Sequence, residues 1–198
     1  MADNPIQLTI PECAPRAGSA FLAWFGRCGL RLLGWQVSGA FPDNKKMIVV
    51  VAPHRSNWDW IIGVCGLWAL RLKFSYLIKD AVMVWPLSAL IRRTGGIPID
   101  RSSPEGVLDQ VIRAFHEADK LYFAITPEGT REEVSRWKTG FLRIAYEAEV
   151  PVVPMVIDSQ NKVFHFHAPF QLNHDVESDL ESVQDFYKPY IAGTILRE

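Results

Sequence analysis

Cysteine is scarce: Cys13, Cys28 and Cys65 are the only three, an odd number with no Cys-x-x-Cys pair. That excludes a disulfide framework and a zinc knuckle, and suits a reducing compartment. No excess of one charge exists either. Lys and Arg total 21 against 22 Asp and Glu, so there is no global basic field and no nucleic-acid partner is expected. Long apolar runs are missing. Residues 60–70 are about half the ~20 residues a spanning helix needs, and nothing reads as a transmembrane span. Residues 1–18 lack a basic segment followed by an apolar run, so no secretory leader is expected. There is no internal repeat or low-complexity tract. What is present is globular in proportion, with 48% hydrophobic and 22% charged residues over 198 positions, which excludes a disordered or fibrous chain. Seven Trp and eleven Phe exceed what a domain of this size requires, so lipid contact enters as a hypothesis from composition alone.

The first 18 residues, punctuated by Pro5, Pro11, Pro15 and Gly18, read as an irregular lead-in. In residues 19–39, Phe21, Trp24, Phe25, Cys28, Leu32 and Trp35 recur at three- and four-residue steps, while Arg27, Arg31 and Ser38 share another stripe. This predicts an amphipathic helix suited to a membrane interface. A helix packed on the domain core is the other reading, and the sequence does not choose between them. The remainder, 40–198, alternates short β-branched or aromatic runs with helical patterns. Strands are expected at 47–52, 74–79, 97–100, 121–126, 152–158 and 162–168. Helices are expected at 60–70, 86–93, 104–118, 138–149 and 174–190. The alternation predicts a single α/β domain with a mostly parallel central sheet flanked by helices.

Three strand ends carry polar residues that a plain fold does not require. The first runs into Pro53-His54-Arg55-Ser56-Asn57-Trp58-Asp59. On one continuous helix His54 and Asp59 would stand about 140° apart. Across a strand-to-helix turn they can meet, and a carboxylate on one imidazole nitrogen leaves the other as a base. The plain alternative makes Asp59 a helix cap and His54 a loop residue. The second strand ends in Asp100-Arg101 and the third in Pro127-Glu128-Gly129-Thr130-Arg131. In a parallel sheet these ends share the edge where α/β domains bind ligands. Two arginines converging on a histidine suit an anionic substrate, because guanidinium matches phosphate bidentately. His165 and His167 lie on one face of a strand with His174 nearby. Without a third convincing ligand they are expected to be ordinary strand residues, and no metal is expected. His116 is expected on the surface, Cys65 in the core, and Asp175, Glu177, Asp179, Glu181 and Asp185 on a solvated helical face.

Taken together, these segments resemble a family. His54-x4-Asp59 looks like the HX4D signature of the PlsC-like glycerolipid and lysophospholipid acyltransferases. Residues 95–101, Gly-Gly-Ile-Pro-Ile-Asp-Arg, resemble its second motif. Residues 127–131, Pro-Glu-Gly-Thr-Arg, match its third, and Val150-Pro151-Val152-Val153-Pro154 is similar to its fourth. HX4D alone is a weak pattern, whereas four motifs in family order across residues 47–158 are a strong one. Three departures lie beside the acceptor-binding residues and bear on the acceptor: Thr126 before the third motif, Pro98 within the second, and Glu132 after Arg131.

The resemblance implies transfer of a fatty acyl group from acyl-CoA or an acyl carrier protein to the hydroxyl of a lysophospholipid-like acceptor, of the 1-acylglycerol-3-phosphate type. It implies His54 as general base, oriented by Asp59. Arg101 and Arg131 would hold the acceptor phosphate, with Glu128, Gly129 and Thr130 shaping that pocket and Ser56, Asn57 and Lys138 in support. No metal or organic cofactor is implied beyond the thioester co-substrate. A peripheral or monotopic place on the cytoplasmic face of the cell membrane is expected. A lipid esterase using Ser56 as nucleophile is disfavoured, because no G-x-S-x-G elbow is present. A non-catalytic lipid-binding domain is the remaining alternative, against which the intact His54–Asp59 pair argues.

Overall fold

The computed structural model describes residues 4–79, 82–99, 104–129 and 136–191. Its centre is β3 (Lys46–Ala52), an apolar run whose Met47 to Val50 and Ala52 are fully buried. A strand covered on both faces needs such a run. Its side chains alternate between two cores: Ile48, Val50 and Ala52 enter one, Met47 and Val49 the other.

Eight strands form one sheet in the order β1-β2-β8-β7-β3-β6-β4-β5. They are β1 (Ile6–Gln7), β2 (Gln36–Gly39), β3, β4 (Phe74–Lys79), β5 (Gly96–Ile99), β6 (Leu121–Ile125), β7 (Val152–Asp158) and β8 (Val163–Phe166). Strands β7, β3, β6, β4 and β5 are mutually parallel. Among the described strands β7 pairs antiparallel with β8, and β8, β2 and β1 continue in the reversed sense. The expected mostly parallel α/β sheet is therefore present. The carboxyl ends of β3, β6, β4 and β5 open on one edge.

Helices cover both faces. On one lie α1 (Ala20–Leu33), α2 (Asn57–Leu70) and the short α3 (Leu87–Arg93); on the other lie α4 (Pro104–Glu117), α5 (Gly140–Ala148) and α6 (Val176–Ile191). Trp60 Nε1 of α2 donates to the Tyr76 hydroxyl of β4, which is 2.6 Å from Thr94 Oγ1 at the end of α3, so a polar chain ties that first layer together.

The N-terminal segment departs from the expected layout. The amphipathic helix spans α1 only and stops at Gly34, whose φ of 72° closes it and whose N–H bonds back to Arg31. Trp35 has left the helix and is buried against Phe164, and Ser38 belongs to β2. The lead-in is not wholly irregular, since β1 pairs with β2 and Arg16 bridges to Leu72. The orientation of α1 also has a clear cause. Its buried stripe is Ala23, Gly26 and Leu30. A Cβ at Gly26 would stand 2.5 Å from the Cys65 carbonyl oxygen and 2.6 Å from the Ala69 nitrogen. The α1 and α2 backbones touch there, and only small side chains fit between them. The bulky residues are therefore turned outward: Phe21, Trp24, Phe25 and Leu32 are all exposed.

On the opposite layer, α6 carries one acidic residue that is not solvated. Asp179 is 1% exposed, and its carboxylate accepts from the Tyr146 hydroxyl and the Asn173 and His174 amides. Tyr187 of α6 donates to the Val50 carbonyl at 2.8 Å, seating the helix over β3. Phe186 and Tyr190 of α6 pack on the His167 ring. His165 is 2.8 Å from Ser38 Oγ, while His167 Nε2 is buried without a hydrogen-bond partner among the described residues. No group of three or more His, Cys, Asp or Glu side chains suited to a metal ion occurs among the described residues. His116 is exposed and Cys65 is buried, as expected.

Two outcomes follow from this packing. Gly26→Ala should lower stability by ~1–3 kcal/mol, because backbone atoms must give way. Trp24→Glu on the exposed side should stay within about 0.5 kcal/mol. Urea melts of both variants check the pair. The second concerns pH. Burial, with a smaller contribution from His165, pushes the His167 imidazole down from 6.5 to about 4. The unfolded chain therefore takes up this proton near pH 6.5 and the fold only near pH 4. Stability is unaffected by this group above that window and falls as pH drops through it. At pH 5 the loss should be ~1–2 kcal/mol. Urea melts at pH 7 and pH 5 should show a smaller difference for His167→Gln than for the native chain.

Candidate active site

The site is built where β3 passes into α2. The chain leaves the sheet at Ala52, crosses Pro53-His54-Arg55 and enters α2 with Ser56 as its N-cap. Ser56 Oγ accepts from the Trp58 amide, and the side chain of Asp59 reaches back to the Ser56 amide, a reciprocal capping box. Asp59 Oδ2 accepts from the Arg55 amide at 3.0 Å and the Ser56 amide at 2.8 Å, and lies 3.3 Å from His54 Nδ1. The two readings of Asp59 offered by the sequence are thus one arrangement. A single oxygen fixes the helix start and holds the imidazole.

Asp59 is 8% exposed. Burial raises its pKa, but the bonds from His54, Ser56 and Arg55 outweigh this and hold the carboxyl below its ordinary value. It is a carboxylate at neutral pH, able to stabilise a proton gained by His54 at its other nitrogen.

Glu128 completes the cluster. Strand β6 lies beside β3 in parallel register, Val50 opposite Ile125, so the loop after β6 emerges next to His54. Glu128 Oε2 accepts from the His54 amide at 3.0 Å. The sequence reading placed Glu128 in an acceptor pocket; its contact is with the loop that carries the histidine, and nothing in the spacing of residues 74 apart signals such a bond. Burial pushes the Glu128 carboxyl up, and the His54 amide and the nearby positive groups draw it only partly back. Gly129 has φ +67°, and a Cβ there would stand 2.7 Å from Lys138 Cε. The positive φ favours glycine there, while the end of the Lys138 side chain is flexible and could move aside. Lys138 donates its amide to the Pro127 carbonyl at 2.9 Å, tying the end of the loop to its beginning.

Of the other expected site residues, Ser56 is present as the cap, and its hydroxyl shares no hydrogen bond with His54. Its role in starting α2 accounts for it without a nucleophile. Asn57 is the first residue of α2 and is exposed. Arg101, Thr130 and Arg131 lie outside the described residues.

The chemistry available is that of a base held on one side by a carboxylate and anchored through its own backbone by a second. Truncating that anchor should leave the imidazole in place only part of the time. Glu128→Ala should lower kcat about ten- to a hundredfold with the fold intact, whereas Glu128→Gln keeps an acceptor for the His54 amide and should lose less than about fivefold. Steady-state kinetics with circular dichroism of both variants decides it. Equal losses would mean that the negative charge, not the hydrogen bond, is what matters.

Comparison with known proteins adds to this geometry. A family model described as Acyltransferase matches residues 35–158. The chain is 28% identical over 159 residues to a 1-acyl-sn-glycerol-3-phosphate acyltransferase of Haemophilus influenzae, covering 71% of this chain and 61% of that protein. It is 38% identical over 160 residues to one of Cocos nucifera, covering 77% of this chain and 51% of that protein. It spans about half to three-fifths of the length of such relatives. Among solved structures it is similar to the crystal structure of the 1-acyl-sn-glycerophosphate (LPA) acyltransferase, PlsC, from Thermotoga maritima. The TM-score is 0.60 at 19% identity, covering 89% of this chain and 80% of that one, a likeness of fold.

Proposed function

The chain belongs to the Acyltransferase family, and from that premise we propose that it transfers a fatty acyl group from a thioester to the free hydroxyl of a 1-acyl-sn-glycerol 3-phosphate. The relatives named for that reaction support the acceptor class. The observation that carries the chemistry is the His54–Asp59 contact of 3.3 Å at the carboxyl edge of the sheet.

With Nδ1 held by Asp59, the base is His54 Nε2. The acceptor oxygen attacks the thioester carbonyl carbon while Nε2 takes the hydroxyl proton. Asp59 stabilises the resulting imidazolium, as the carboxylate does in a Ser-His-Asp site, with the acceptor hydroxyl in place of the serine. Collapse of the tetrahedral intermediate breaks the C–S bond, and the proton passes to the departing thiolate. Ester and thiol are the products. The balance is closed by acyl-CoA or an acyl carrier protein as co-substrate and asks for no metal or organic cofactor.

Arg101 and Arg131 are the proposed partners of the acceptor phosphate, in keeping with the affinity of guanidinium for that group. Thr130 would join them, and Gly129 would let the backbone approach. The acceptor is held in a bilayer, and the exposed Phe21, Trp24, Phe25 and Leu32 of α1, flanked by Arg27 and Arg31, support contact with a membrane surface. No helix among the described residues is long and apolar enough to cross one. A peripheral or monotopic position on the cytoplasmic face is part of the same proposal.

The test is an assay of acyl transfer to lysophosphatidic acid with acyl-CoA and acyl carrier protein donors. His54→Ala should lose ~10²–10⁴ in kcat and Asp59→Asn should be severely impaired. Arg101→Ala and Arg131→Ala should act chiefly on acceptor KM, about ten- to a hundredfold each. A fully active His54→Ala, or arginine variants that raise only the donor KM, would overturn these roles.

A further inference from the structure

The exposed apolar side chains are distributed unevenly. Among the described residues, every large one apart from Val176 belongs to α1, α2, the β4–α3 connection with the start of α3, or edge strand β5. The densest group away from α1 is that connection, where Val82, Val84, Trp85 and Leu87 are exposed, Trp85 by 86% and Val84 by 60%.

This segment is ordered by its own hydrogen bonds. The Val84 amide folds back onto the Val82 carbonyl at 2.9 Å, Ser88 donates to the Val84 carbonyl at 2.8 Å, and Ala89 donates to the Pro86 carbonyl at 3.2 Å. Backbone groups already satisfied in this way can leave water at lower cost. The side chains held outward are aliphatic with one tryptophan, the composition favoured at a lipid interface. Residues 82–99 contain no Asp or Glu, and Arg92 and Arg93 in the last turn of α3 are exposed cations. The apolar tip with offset positive charge complements an anionic lipid surface.

Its position matters. Strand β4 is parallel to β6 and β5, so the connection leaves the sheet at the edge that carries His54 and Glu128. Helix α1 runs antiparallel to α2, Gly26 meeting Cys65 and Ala69 and Phe25 meeting Trp68. Phe21, Trp24 and Phe25 therefore lie beside the far end of α2. That end is about 20 Å from the site edge, the length of a helix of this size. At the site edge itself Trp58, in the first turn of α2, is 61% exposed.

We propose that the β4–α3 connection is a second membrane-inserting element, with Val84 and Trp85 entering the bilayer beside the active-site edge and Arg92 and Arg93 meeting anionic head groups. It rests on the membrane-surface reading of the proposed function but not on α1, and where both elements insert, the two together fix how the site edge meets the lipid. Cosedimentation with vesicles of equal phosphatidylglycerol and phosphatidylcholine separates them. The proteins are the native chain, Val84→Asp with Trp85→Asp, Trp24→Glu with Phe25→Glu, and the combination of all four, each checked for folding by circular dichroism. The loop variant should lose about tenfold or more in partitioning, and the combined variant more than either pair. Trp85→Leu, which keeps the segment apolar, should stay within about threefold. Native-like binding by the loop variant with weakened binding by the α1 variant would overturn the proposal and leave the α1 reading standing. Weakened loop binding with an unaffected α1 variant would sustain the proposal and remove α1. A native chain that does not sediment overturns both. Unchanged vesicle binding with a halved mass in light scattering would assign the patch to a second copy of the chain instead.

Discussion

One carboxylate oxygen organises the end of the molecule where the chemistry is proposed. Asp59 Oδ2 gathers the Arg55 and Ser56 amides and stands against the His54 imidazole. The amides at a helix start have no partner within the helix, and a charged acceptor there is favourable both as a cap and against the helix dipole. Because the same atom also holds His54, the position of the proposed base is inherited from the start of α2. That start is fixed in turn by burial of α2 between the sheet and α1. The tether from Glu128 adds a second constraint from the neighbouring strand. The geometry of the proposed site is a consequence of ordinary capping and strand pairing, with little left to flexible side chains.

The unequal helical layers have an equally simple origin. The closest contact between α1 and α2 is made by Gly26 and Gly29 on one side and Cys65 and Ala69 on the other. Such close backbones exclude large side chains at the seam, so Phe21 and Trp24 face outward and Phe25 lies at its edge against Trp68. The opposite layer is conventional. Phe115, Phe141, Leu142, Leu180 and Tyr187 are turned into the core, and the acidic side chains of α6 face solvent except Asp179.

Much of this was legible in the sequence, and the exceptions share a cause. The β4 and β7 runs were located to the residue, because β-branched and aromatic runs bounded by turn residues leave few alternatives. That the HX4D segment and Glu128 would meet was legible in outline, because loops after parallel strands gather at one edge. The end of α1 was misplaced because the three-four period of aromatics continues through Trp35, although Gly34 carried the stop signal. Strand β1 is two residues between prolines, too short to leave a pattern. The roles of Glu128 and Asp179 were not legible, since each depends on partners brought close only by the fold. Glu128 is 74 residues from the amide it holds.

The reversed outer strands bear on the order in which the protein can assemble as it is made. Among the described residues, strand β2 pairs with the two-residue β1 and with β8, whose partner residues are Val163 to Phe166. A β1–β2 pair alone is too small to hold. During synthesis α1 can dock once α2 exists, but the strand that follows it waits for more than a hundred further residues. Proteins emerging from the ribosome generally fold in the order of their synthesis. Here α1, which carries the outward aromatics, can meet α2 early, while β2 directly behind it stays without its long partner until β8 is made. Until β8 is made those rings are held by the contact of α1 with α2, within reach of a chaperone or a bilayer before the sheet is complete.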